Sequence, residues 1–83
     1  MLENKFTELN AHEQILYQQV AANPSYKKIL YLEQEELQQQ ILQFFRLENE
    51  SDANYCRRLE NTRVKLMLIE EFISLNEYAI ELK

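Results

Sequence analysis

An all-α fold follows from three features of the chain. It contains no glycine and a single proline, so hairpin turns that need positive φ have no Gly or Asn-Gly to build them. Its apolar residues recur at steps of three and four over long stretches, which is the period of a helix. The residues between them are mostly Glu, Gln, Lys and Arg, all good helix formers. With 83 residues, the chain makes one domain at most, and a domain of that size buries only part of its surface. The expected architecture is a short N-terminal helix followed by a long antiparallel helical hairpin, which completes its core by oligomerisation.

Helix one is expected over about residues 7–22. Leu2, Phe6, Leu9, Leu16 and Val20 recur at helical spacing, and Asn10 followed by Glu13 resembles a capping box. Its start falls near Thr7 or Asn10. "ANPSY" then punctuates the chain. Pro24 disfavours α conformation at Asn23 and suits the first position of a new helix, with Asn23 as its N-cap. Helix two is expected over about residues 24–48, meeting helix one at a sharp corner. Tyr26, Leu30, Leu37, Ile41 and Phe44 form its stripe, flanked by Ile29, Phe45 and Leu47. "ENESDAN" reads as a polar connection, with Ser51 or Asp52 as the next N-cap. Helix three is expected over about residues 52–82, with a seam of Tyr55, Leu59, Thr62, Leu66, Ile69 and Ile73. "SLNE" at residues 74–77 could restart the helix after a bend, but a continuous helix is preferred.

Helix three carries more apolar residues than one face can hold. Val64, Leu68, Leu75 and Leu82 lie opposite the seam, with Met67 and Phe72 between. Tyr31 and Leu42 fall off the helix-two stripe, beside Phe45. A surface helix needs one stripe for one core, and an uncovered apolar patch on a soluble protein usually marks an interface. The expected partner-binding residues are therefore Val64, Leu68, Leu75, Leu82, Tyr31, Leu42 and Phe45. The competing expectation is that helix three lies between helices one and two within the monomer.

Composition narrows the chemistry. A chain without glycine has no P-loop or Rossmann turn to cradle phosphate, so those modes of nucleotide binding are excluded. The formal net charge of −5 disfavours nonspecific attraction to nucleic acid or anionic membrane. The single Cys56 cannot form an internal disulfide and fits a reducing compartment or one indifferent to redox state. No stretch has the length of a membrane span, the polar N-terminus does not read as a signal peptide, and a cytoplasmic location is expected. His12, the only histidine, has no companion ligands for zinc and no orienting partner for base catalysis. Cys56 reads as a small buried filler in preference to a reactive thiol. Glu35–Glu36 and Glu70–Glu71 read as solvated surface. Arg57, Arg58, Arg63 and Lys65 scatter over several helix faces, and read as ion-pairing surface in preference to a phosphate-binding strip. No catalysis, cofactor, metal or small-molecule substrate is expected.

Two segments carry a resemblance. "NPSYKKILYLEQEELQQQIL" is an Asn-Pro start to an acidic helix, and "YCRRLENTRVKLMLIEEFISL" is an Arg-Leu-containing helix with a leucine-rich end. Over about Asn23 to Leu75 the chain resembles small helical-hairpin proteins encoded by tailed bacteriophages. The Arg-Leu element of that class often continues with Gln-Gly and Arg, where this chain has Glu60 and Asn61. No functional residues carry over. The resemblance implies a setting, a phage particle or its assembly. The expected function is a non-enzymatic structural or assembly protein whose partner is itself or another protein. The alternative is a small regulator, inhibitor or chaperone that docks its exposed helix-three face on a cellular protein. A nucleic-acid binder using residues 57–65 is a third reading.

Overall fold

Three of the four helices begin where a side chain takes up the orphan N–H groups of the first turn. The computed structural model describes residues 2–82 and contains α1 (Leu2–Thr7), α2 (Ala11–Ala21), α3 (Pro24–Leu42) and α4 (Asp52–Glu81), with no strand among the described residues. Asn10 and Glu13 close a reciprocal capping box on α2. Asn23 accepts from the N–H groups of Ser25 and Tyr26 to start α3, with Pro24 in the first turn. Ser51 caps α4 by accepting from the Asn54 N–H at 3.1 Å.

Helix one of the sequence reading is α2, starting at its Asn10 alternative, and α1 is an additional helix ahead of it that the reading did not place. Asn10 takes extended backbone (φ −72°, ψ 170°) to cap α2, and that conformation cannot continue α1. The supposed single stripe divides accordingly. Leu2, Phe6 and Leu9 pack inward, whereas Leu16 and Val20 on α2 face solvent.

Helix two is also shorter than expected, ending at Leu42 instead of near residue 48. The cause is tertiary. The Phe44 ring packs 5.3 Å from that of Tyr55, and the Arg58 guanidinium sits 4.7 Å over Phe44, so the chain leaves the helix to reach α4. Asn49 then supplies the one positive φ (62°) among the described residues, a conformation Asn tolerates better than most.

α3 and α4 lie antiparallel. Tyr31 near the start of α3 donates to Glu77 near the end of α4 at 2.8 Å, while Phe44 and Tyr55 meet at the other end. The expected seam holds: Tyr55, Leu59, Thr62, Leu66 and Ile69 are half-buried and Ile73 is buried, facing a stripe in which Leu37 is buried and Tyr26, Leu30 and Ile41 are half-buried. α4 is continuous through Ser74 to Glu81.

α1 and α2 fold back over the C-terminal half of α4. Phe6, Leu75 and Ala79 form a buried cluster, with Leu2, Leu9, Tyr17 and Tyr78 around it. The Phe6 ring stands 5.6 Å from Tyr17 and edge-on to Tyr78 at 6.1 Å. α2 joins this core through its polar side. Tyr17 Oη donates to Asn76 Oδ1, and Gln18 Nε2 donates to the Ala79 carbonyl at 2.7 Å. Gln14 Nε2 donates to the carbonyls of Phe6 and Leu9.

The molecule measures 54 × 24 × 14 Å, with a radius of gyration of 16.6 Å. A compact chain of this length would have about 12 Å. The elongated shape leaves a small enclosed core, centred on Phe6, Leu75 and Ala79.

Candidate interaction surface

α4 runs about 45 Å at 1.5 Å per residue. Its seam faces α3 along the hairpin. Its opposite face is covered by α1 and α2 from about Leu75 onward, and before that point Leu2 and Glu3 of α1 line a groove beside Met67, Glu70, Glu71 and Ser74. The stretch before that point is otherwise open, with Val64, Met67, Leu68 and Phe72 all exposed. Val64, Leu68 and Phe72 are spaced by four and form one ridge, and Met67 flanks it.

The partner-binding residues expected from sequence fall in separate places. Val64 and Leu68 lie on the open ridge. Leu75 does not: it is 7% exposed, seated against Phe6 and Ala79. Its assignment to a partner face is overturned because α1 supplies the cover within the chain. Leu82 is exposed but lies beyond that covered stretch, apart from the ridge. Tyr31 is exposed, yet its hydroxyl is committed to Glu77, and that hydrogen bond holds the phenol above its ordinary pKa. Leu42 is 77% exposed at the last turn of α3. Phe45 projects from the connection on the α4 side that bears Arg58.

Sequence reasoning placed Met67 and Phe72 between the two seams of α4 without assigning them to the partner face, although the four-residue step from Val64 through Leu68 to Phe72 was there to read. It read Leu16 and Val20 only as residues at helical spacing and assigned them no surroundings. With Ile15 they form an exposed apolar patch on α2, because the opposite side of α2 is anchored by hydrogen bonds. Nothing in the residue pattern distinguishes the two outcomes.

The hairpin tip is organised by ions. Arg58 pairs bidentately with Glu50, its Nη2 lying 2.6 Å from Oε1, and also donates to the Phe45 carbonyl at 3.1 Å. Glu50 accepts further from the Leu47 N–H and from Asn54 Nδ2. Its side chain is 2% exposed, and the Arg58 hydrogen bonds lower its pKa to about 2. Arg46 pairs with Asp52 and sits 5.0 Å over the Tyr55 ring. The basic cluster thus divides: Arg58 fastens the connection to α4, while Arg57, Arg63 and Lys65 are exposed and make no ion pair among the described residues.

Cys56 is exposed, which corrects the buried-filler reading. It points off the seam where α3 covers only one side of α4. His12 is exposed on the first turn of α2. Among the described residues no three His, Cys, Asp or Glu side chains converge as metal ligands, and no helix is long and apolar enough to cross a membrane. Asn76 is the notable buried polar side chain. It is 3% exposed, its Oδ1 accepts from Tyr17, and its Nδ2 has no partner.

No protein-family model matches the chain, and no curated protein or solved structure matches it.

Proposed function

We propose that this is a non-enzymatic helical protein that acts through protein–protein contacts, as a structural or assembly component. The observation that carries this reading is the open ridge. Val64, Leu68 and Phe72, with Met67 beside them, stand exposed on a helix held rigid by α3 along its other side. Packed apolar rows on rigid elements are what interfaces use, because little conformational entropy is lost on docking. A bacteriophage particle or its assembly is the setting implied by the hairpin pattern of residues 23–75.

The alternative is a small regulator, inhibitor or chaperone that docks the same ridge into a groove of a cellular protein. A photo-crosslinking amino acid at position 68, introduced into the chain in its source cell, tests the common core of both. Adducts of defined stoichiometry at position 68, absent when the label is moved to the exposed Gln19, support a contact surface. Adducts within an assembled particle favour the structural role, and a single adduct with a free cellular protein favours the regulator. An unmodified chain at both positions removes the reading.

A further inference from the structure

We infer that α1 is a latch on the apolar face of α4: α2 extends backward through Asn10, fuses with α1 into one helix, and lifts Phe6 out of its seat. The consequence for function rests on the contact-surface reading above and adds a regulation to it.

The first support is the apolar row of residues 2–20. Leu2, Phe6, Leu9, Leu16 and Val20 follow at steps of four, three, seven and four, with Glu13 on the same line inside the seven-residue step. The row keeps one helical phase across residue 10, where the helix is interrupted. In the structure it is divided: Leu2, Phe6 and Leu9 pack inward, while Leu16 and Val20 are exposed. One uninterrupted helix would put all five on one side.

The second support is how the interruption is satisfied. The Asn10 N–H donates to Glu13 Oε1 at 3.0 Å, and the Glu13 N–H donates to Asn10 Oδ1 at 2.9 Å. Gln14 Nε2 donates to the Phe6 carbonyl at 3.3 Å and to the Leu9 carbonyl at 3.1 Å. A continuous helix joins each N–H to the carbonyl four residues earlier, which pairs Asn10 with Phe6 and Glu13 with Leu9. The side chains of Asn10, Glu13 and Gln14 thus stand in for two bonds of the helical ladder. Exchanging one set for the other leaves none of these four backbone groups unpaired. No Gly or Pro lies between residues 2 and 21 to forbid the continuous helix.

The third support is the size of α1. Its six residues fall well below the roughly 12–15 at which an isolated helix becomes marginal. α1 is therefore helical on its seat or as an extension of α2. Phe6, 3% exposed, holds it on the seat, so the fused form is the minor one.

Opening changes what α4 presents. At 100° per residue, Leu68, Leu75 and Ala79 lie within about 20° of one line, so the ridge and the seat of Phe6 are one face. Fusion of α1 with α2 uncovers Leu75 and Ala79 and lengthens the open ridge toward the C-terminal end. A partner that uses the full face binds only the open form, and its apparent affinity falls with the open fraction.

The experiment is thiol labelling in a Cys56→Ser background. Ala79→Cys reports the seat, and Leu37→Cys in the α3–α4 seam reports opening of the whole chain; both positions are buried. Ala79→Cys should react at least about tenfold faster, because the seat opens while the hairpin stays closed. Asn10→Ala should speed it about fivefold more, since the cap is lost only from the latched form. Ala11→Pro should slow it to near the Leu37→Cys rate. Proline suits the first position of α2 after the extended Asn10 but not the interior of a fused helix. Leu75→Cys repeats the series should the Ala79 variant not fold. Equal rates at seat and seam, or a seat rate unmoved by Ala11→Pro, would overturn the latch. Adducts at position 68 that persist in that case leave the contact surface standing. A seat that opens as expected in a chain without adducts at position 68 removes the contact surface and leaves the latch.

Discussion

Two stretches of α4, residues 55–72 and residues 75–81, are each about half apolar and have different surroundings. From about Leu75 onward the helix lies between α3 on one side and α1 with α2 on the other, and there Leu75, Asn76 and Ala79 are buried. From Tyr55 to Phe72 α3 covers it, α1 borders it only at the groove beside Met67, and the opposite ridge is open to solvent. The covered half is held by apolar packing around Phe6 and by hydrogen bonds from α2. The open half and the tip are held by a thin seam and an ion network. Burial of a second face, and not the character of the residues on it, separates core from open surface in this chain.

The sharpest way to break the comparison is to remove the cover. Phe6→Ala should destabilise the protein by about 3 to 4 kcal/mol, the usual cost of deleting a buried aromatic ring. That is a large share of the roughly 4 to 12 kcal/mol expected for a chain of this size. Chemical denaturation measures it, and hydrogen exchange should show the loss of protection at residues 75–79 before the tip. Equal loss in both halves would mean that α4 is one cooperative unit.

Next comes the hydrogen bond between Tyr17 and Asn76. Tyr17→Phe should cost about 1 to 2 kcal/mol, because it leaves the buried Asn76 amide without its remaining partner. Should the variant be as stable as the parent, the Tyr17–Asn76 hydrogen bond would contribute nothing net, and α2 would be held by Gln18 and its apolar contacts.

The tip should respond to acid, where the covered half should not. Glu50 has a folded pKa of about 2 against an ordinary 4.5, lowered chiefly by Arg58. A depressed carboxylate contributes stability above its unfolded pKa and loses it as pH falls toward the folded one. Protection at residues 43–58 should therefore decline between about pH 4.5 and pH 2, and Glu50→Gln should remove most of that pH dependence. Arg46, Asp52 and Tyr55 adjoin the same network and remain in the variant. A tip that titrates unchanged in Glu50→Gln would place the dependence elsewhere.

The smallest effect belongs to the open ridge. Met67→Gln should change monomer stability by no more than about 0.5 kcal/mol, as surface substitutions usually do. A cost above 2 kcal/mol would show that this face is covered within the chain after all.

Much of the fold was legible. The capping side chains Asn10, Asn23 and Ser51, the seam from Tyr55 to Ile73 and the unbroken course of α4 through Ser74 all follow from local rules. Such rules concern one helix turn at a time. They did not reveal that α3 ends at Leu42, since the pull comes from Tyr55 and Arg58, far along the chain. The candidate surface was half legible. Val64 and Leu68 were read correctly as exposed, whereas Leu75, on the same face, was not, because its cover arrives from α1. The helical spacing of Leu16 and Val20 did not show which side of α2 turns inward: Ala21 is buried and Gln14, Tyr17 and Gln18 are half-buried, while Leu16 and Val20 are exposed.

By itself the sequence determined that the chain is helical, where three of the four helices start and which stripe joins α3 to α4. These are consequences of backbone propensity, capping chemistry and the helical period. Tertiary structure alone decided which of two apolar faces on α4 is core and for how much of its length. A helix wheel lists the faces, but a face becomes core only when another element has the length and direction to reach it. α1 and α2, turned by Asn10 and Asn23, reach no farther than the C-terminal half.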